Sequence, residues 1–258
     1  MAIDATPAIV NVAGVPFLGT NLVAAAEDII EMALTHTPTP VRLTNAYCLA
    51  VADQNPMYLD LLQGVGRNYP DGAPVAMLMR IAQGGSSSQR VRGPSLFNTV
   101  IERGQMRGVR HFMVGSTQTT LNLLTQKLEQ EYPAADIVGT YAPPFAPLDD
   151  EFYDDVESAI VGHPDLLWIG LGTPKQDFAA VELASRLNIP CVGVGAAFDF
   201  VAGTVAEAPP FIQKSGFEWL YRFAREPRRL WRRYTIGNIR FAKSVVQHSS
   251  VGRRIWKR

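Results

Sequence analysis

From residue 110 onward, short apolar runs alternate with helical patterns, and this alternation constrains the fold more than any other feature. Strands are predicted near 110–114, 136–141, 165–170 and 190–196, with helices near 117–131, 150–161 and 176–187 between them. Apolar runs of this kind, alternating with helical patterns, fit parallel strands covered by helices on both faces. The expected fold class is therefore α/β, a Rossmann-like parallel sheet with helices on both faces. Upstream, residues 8–19 read as a short hairpin and Thr20-Asn21 as a cap for a helix through about His36. Val41–Thr44 is a brief predicted strand leading into a helix from Asn45, and Asn55-Pro56 restarts a helix. Residues 68–74 read as a strand-to-helix loop and residues 84–92 as a polar loop suited to the edge of a site.

Near Pro209-Pro210 the alternation stops and the sequence turns helical, with aromatics and arginines recurring. Charge divides at the same place. Residues 1–211 carry 11 Lys/Arg against 22 Asp/Glu, whereas residues 212–258 carry 13 Lys/Arg against only Glu218 and Glu226. The chain is thus expected to hold a catalytic α/β domain, 1–211, and a basic, aromatic-rich helical appendage, 212–258. So basic a segment fits an anionic surface such as a membrane; docking onto the acidic body or binding nucleic acid are its other readings. The acidic body argues against nucleic acid.

Met1-Ala2-Ile3-Asp4 does not resemble a secretory signal, and no apolar run reaches the roughly 18 residues that span a bilayer. The expected location is the cytoplasmic face of a membrane, held peripherally. Cys48 and Cys191 lack metal-ligand spacing and fit buried reduced thiols. His36, His111, His163 and His248 form no metal spacing either, and no Asp-x-Asp is present, so neither metal nor cofactor is expected.

In an open parallel sheet, ligands gather at the carboxyl ends of strands. There, Gly115-Ser116-Thr117 offers either a helix cap or a phosphate seat. Gly170-Leu171-Gly172-Thr173-Pro174-Lys175-Gln176 is either a tight turn with Lys175 solvated or a place where Gln176 reads sugar hydroxyls. Asp199, set among apolar residues, needs a partner, which backbone N–H groups or a substrate could supply. Asp71, between Pro70 and Gly72, fits an N-cap or a general base. A dehydrogenase is disfavoured because no G-x-G-x-x-G follows an early strand.

In order along residues 8–235, several of these motifs together resemble the WecG/TagA/CpsF family of bacterial glycosyltransferases. They are Asn45-Ala46, Pro70-Asp71-Gly72, Arg90-Val91-x-Gly93, Gly170-Leu171-Gly172-x-Pro174-x-Gln176, Gly193 to Asp199, and Ala202-Gly203-Thr204-Val205. Most specific is Ala208-Pro209-x-x-x-Gln213-Lys214-x-Gly216-x-Glu218-Trp219-Leu220-Tyr221-Arg222 with its continuation through Tyr234. One position departs: Leu43 stands where the family usually has Thr, and Thr44 directly precedes Asn45.

The resemblance implies an inverting, metal-independent transfer from a UDP-sugar to a polyprenyl-diphosphate-linked saccharide, in cell-surface polysaccharide synthesis. It makes Asp71 the candidate base, with Asn45 and Gln176 on sugar hydroxyls and Arg90, Arg222, Arg229 and Arg232 as candidates for the departing diphosphate. Thr44, Gly172, Gly115, Ser116 and Asp199 complete the expected substrate contacts. A non-catalytic relative that binds a nucleotide sugar is the alternative, and self-association into a homo-oligomer would hide an apolar face in the absence of lipid.

Overall fold

The structure, a computed structural model, describes residues 8–82, 88–215 and 218–248, with the side chains of residues 214, 215, 229, 232–234 and 248 outside that description. It opens with the antiparallel hairpin β1 (Ile9–Val12) and β2 (Val15–Leu18). Ala13 and Gly14 both turn with positive φ, and Asn11 Oδ1 accepts from the Gly14 N–H at 3.0 Å. This left-handed pair matches the twist of the flanking strands. Asn21 then caps α1 (Leu22–Leu34), its Oδ1 accepting from the Ala24 N–H.

The main sheet has six strands in the order β4-β3-β8-β7-β5-β6, every neighbouring pair parallel. These are β3 (Pro40–Thr44), β4 (Arg67–Pro70), β5 (Arg110–Gly115), β6 (Asp136–Tyr141), β7 (Leu166–Gly170) and β8 (Cys191–Gly193). The connecting helices are α2 (Ala46–Ala52), α3 (Pro56–Gln63), α4 (Ala73–Ala82), α5 (Gly93–Gly104), α6 (Gln118–Glu131), α7 (Asp150–Ala159), α8 (Lys175–Leu187) and α9 (Ala197–Ala202).

Strand β7 shows why its apolar run is continuous. Leu166 and Trp168 join the core formed with α1, α5, α6 and α9, where Phe97 and Phe198 pack edge-on. Leu167 and Ile169 join the core on the opposite face with α7 and α8. Successive side chains alternate between faces, and both faces are dry. A further core joins the hairpin to α2, α3 and α4 and takes in Val245.

Three details depart from the sequence expectation. Within the stretch read as a loop, Arg67–Pro70 is an edge strand, because Tyr69 is buried and the Asn68 amide donates to the carbonyls of Pro16 and Leu62. β8 spans only three residues of the expected 190–196 before the chain turns. Helix α5, whose start coincides with the Arg90-Val91-x-Gly93 motif, was not anticipated. Beyond residue 209, α10 (Pro210–Ser215), α11 (Glu218–Arg225), α12 (Pro227–Tyr234) and α13 (Ile236–His248) follow, and α13 packs on α2. No described helix is long and apolar enough to cross a membrane.

Candidate active site

A cavity of about 710 Å³ opens at the carboxyl ends of β3, β4, β7 and β8. Leu43 and Asn45 enter it from β3, Asp71 from β4, Gly172, Thr173 and Gln176 from the β7–α8 turn, and Val194 to Ala197 from the end of β8. Glu218, Arg222, Leu230, Trp231 and Arg240 close it from the C-terminal helices. A second cavity of about 360 Å³ adjoins it and shares Asn45, Tyr47, Asp71, Arg90, Glu218 and Arg222 with it.

Asn45 ends β3 and caps α2, its Oδ1 accepting from the N–H groups of Tyr47 and Cys48 at 3.0 and 3.3 Å. Capping orients the amide so that Nδ2 donates to Asp71 Oδ2 at 3.5 Å. Asp71 is positioned by its own backbone N–H, which donates to the Thr44 carbonyl across the β3–β4 pair. Among the described residues its carboxylate caps no helix, and Oδ1 is buried without a hydrogen-bond partner. The Arg90 Nε, 3.7 Å away, is the other buried atom in this corner lacking one. The Asp71 side chain keeps part of its surface open to the cavity, where a carboxylate can accept a proton from a hydroxyl.

The remainder of the Arg90 guanidinium is engaged. It donates to the Gln213 carbonyl and, at 2.6 Å, to Glu218 Oε2. Arg92 grips the same carboxylate through Nε and Nη2 at 3.1 to 3.2 Å and reaches Glu207 at 3.1 Å. Burial alone would raise the Glu218 carboxyl, but the bonds from Arg92 and Arg90 hold it below the usual carboxylate range. One of the two acids of the basic segment thus locks α11 onto the body. The Arg222 guanidinium lies 5.1 Å over the Phe200 ring and pairs with no carboxylate among the described residues.

Gln176 lines the larger cavity but is nearly fully buried. Its Oε1 accepts from the Gly172 N–H at 3.1 Å, holding the turn in which Gly172 takes φ 77° with open space where a side chain would stand. Asp177 beside it is buried and accepts from Tyr58 Oη at 2.6 Å. Burial pushes the Asp177 carboxyl up to about 6 against the opposing effects of Tyr58, Arg42 and Gln176. Lys175 is half-buried: its Nζ bonds the Ala146 carbonyl and stands 4.9 Å over the Phe152 ring.

Of the residues expected from sequence, Asn45, Asp71, Arg90, Gly172, Gln176 and Arg222 meet around the larger cavity. Thr44 does not line either cavity: strand alternation turns it away from Leu43, and its Oγ1 donates to Asn68 Oδ1 at 3.4 Å inside the body. Gly115, Ser116 and Asp199 form a separate cluster outside both linings. Ser116 Oγ donates to Asp199 Oδ1 at 3.1 Å and Thr120 Oγ1 to the same oxygen at 3.5 Å, so the partner that Asp199 needs is a side chain of the fold. Thr117, not Ser116, caps α6. Arg229 and Arg232 sit in α12, but their side chains lie outside the described residues.

Sequence reasoning passed over Arg92, Tyr47, Arg240 and the bridging part of Glu218. The unspecified position of Arg90-Val91-x-Gly93 is Arg92, and the rarity of acids after residue 211 was the signal for Glu218. Cys48 and Cys191 are buried thiols outside any disulfide among the described residues. No three His, Cys, Asp or Glu side chains converge as a metal site among the described residues.

Residues 10–254 match the family described as "Glycosyl transferase WecG/TagA/CpsF family". Over 198 residues the chain is 27% identical to the N-acetylglucosaminyldiphosphoundecaprenol N-acetyl-beta-D-mannosaminyltransferase of Bacillus spizizenii, an alignment that covers 76% of this chain and 74% of that protein.

Proposed function

The chain belongs to the WecG/TagA/CpsF family of glycosyltransferases, and from that premise we propose that it moves a sugar from a UDP-sugar to a polyprenyl-diphosphate-linked saccharide, inverting the anomeric carbon without a metal ion. The observation that carries this reading is the Asp71 carboxylate, partly exposed at the wall of both cavities and paired with Arg90 at 3.7 Å. In this reading Asp71 takes the proton of the acceptor hydroxyl as its oxygen attacks the anomeric carbon. The bond from that carbon to the β-phosphate oxygen breaks, and its electron pair leaves on UDP.

Arg222 and Arg240 in the cavity lining supply positive charge for the leaving diphosphate, and Asn45 orients Asp71 through its amide. Arg90 stands between Asp71 and Glu218, where it steadies the base. The relative from Bacillus spizizenii, whose name specifies a diphosphoundecaprenol-linked N-acetylglucosamine, supports an acceptor of this class. In this reading the enzyme works at the cytoplasmic face of a membrane, peripherally bound through the basic segment 212–258.

The test is to incubate the protein with a panel of UDP-sugars and a short-chain lipid-diphosphate saccharide and to weigh the product. Asp71→Asn is expected to lower turnover by about 10²- to 10⁴-fold, the range of a lost general base, while UDP affinity measured by calorimetry stays near that of the unaltered protein. Full turnover in Asp71→Asn would remove the assignment of the base.

A further inference from the structure

We propose that the smaller cavity seats the acceptor saccharide, with Trp219 and Phe241 as its apolar platform, while the larger cavity takes the donor; this rests on the transferase reading above. Both volumes, about 710 and about 360 Å³, fall within the range of small-molecule sites, roughly 300–1,000 Å³. Inversion requires the attacking oxygen and the leaving oxygen to lie on opposite sides of the anomeric carbon. The base must then stand where two substrate chambers meet. Asp71 lines both cavities, and so does Glu218. Glu218 is held by hydrogen bonds from Arg90 and Arg92, which leaves Asp71, without a hydrogen bond on one oxygen, as the available carboxylate at the junction.

The linings divide the substrates. Arg240, Gly172, Thr173 and Gly195 occur only in the larger cavity, where a cation and open backbone suit a nucleoside diphosphate. Ala73, Pro74, Trp219, Asn238 and Phe241 occur only in the smaller one. Aromatic faces beside a few polar groups suit the C–H face of a pyranose ring. Trp219 and Phe241 come from α11 and α13, and Leu220 and Ile239 on the same two helices are exposed. An acceptor held there has apolar surface beside it for its polyprenyl chain.

The reaction then crosses the shared wall. The acceptor oxygen attacks from the smaller cavity, its proton passes to Asp71, and UDP departs within the larger cavity carrying the electron pair of the broken bond.

Initial rates with farnesyl-diphosphate-linked N-acetylglucosamine and an active UDP-sugar test this, alongside UDP calorimetry, in Trp219→Ala, Phe241→Ala and Ala73→Phe. Each truncation is expected to raise the acceptor KM roughly tenfold, with UDP affinity changed by less than about twofold. Ala73→Phe fills the smaller cavity from the side of the body and is expected to abolish transfer while UDP still binds. An unmoved acceptor KM in both truncations, or a roughly tenfold loss of UDP affinity in them, overturns the cavity assignment while leaving the transferase reading intact. No product from the unaltered protein with any UDP-sugar overturns the transferase reading and this proposal with it.

Discussion

At the scale of single residues, chemistry and architecture compete for the same positions. Asn45 does both, since capping α2 with Oδ1 is what aims Nδ2 at Asp71. Gly115, expected to face a phosphate, is instead set against β7: a Cβ there would lie 2.6 Å from the Gly170 carbonyl, and its φ is 121°. Neither the clash nor the left-handed backbone can be relieved by a side-chain movement. Gly115→Ala is therefore expected to destabilise the fold by about 1–3 kcal/mol, read as a lower thermal midpoint of the order of 2–4 °C per kcal/mol. A melting temperature equal to that of the unaltered protein would return Gly115 to a ligand role. The glycine and Asp71 were both visible in the sequence, but their roles depended on what stood opposite them.

At the scale of elements, the C-terminal helices are tied to the body through both polar and apolar contacts. Glu218 of α11 is held by Arg90 and Arg92, and α13 lies on α2 with Val245 buried in the core shared by the hairpin, α2, α3 and α4. An unpaired carboxylate at that point loses apolar burial and gains a desolvation penalty. Val245→Asp is expected to release α13 and to raise the rate of tryptic cleavage within residues 218–248 roughly tenfold, as local opening exposes its arginines. Unchanged cleavage would show that Glu218 alone holds the segment. Periodicity made the helical character of this segment legible. It could not show that one of its two acids enters the cavity wall, because that depends on Arg90 and Arg92, which are distant in the chain. The same limit hid β4, whose short polar run Arg67–Pro70 is a strand only because Asn68 finds carbonyl partners and Tyr69 finds a core.

At the scale of the whole molecule, two buried ionisable groups on either side of the sheet give stability opposite dependences on pH. His111 is fully buried, accepts from Trp168 Nε1 through Nδ1, and is pushed down to about 3 by burial, with Asp165 opposing. Unfolding lets it take a proton at its ordinary pKa of 6.5, so its contribution is lost as pH falls from about 6.5 toward 3. Asp177, raised by burial to about 6 from 3.8, keeps its proton in the fold where the unfolded chain releases it. Its contribution is lost as pH rises from about 3.8 to about 6. Tyr58, Arg42 and Gln176 are the groups that face it. Asp177→Asn removes that proton release, so the variant is expected to gain stability relative to the unaltered protein as pH rises from about 4 to about 6, measured by urea midpoints. A constant difference over that interval would show that Asp177 does not hold its proton.

The sequence by itself determined the layers and the chemistry on offer. A continuous apolar run such as Leu166–Gly170 must be covered on both faces, and glycines and acids after the strands had to cluster at one edge of the sheet. Its charge division showed that the last segment differs from the body. Only the tertiary structure decided which of those side chains meet. Burial and hydrogen bonding are properties of pairs far apart in the chain, so Thr44 turns inward to Asn68, Asp199 is satisfied by Ser116, and Asp71 keeps one oxygen without a hydrogen bond where two cavities join.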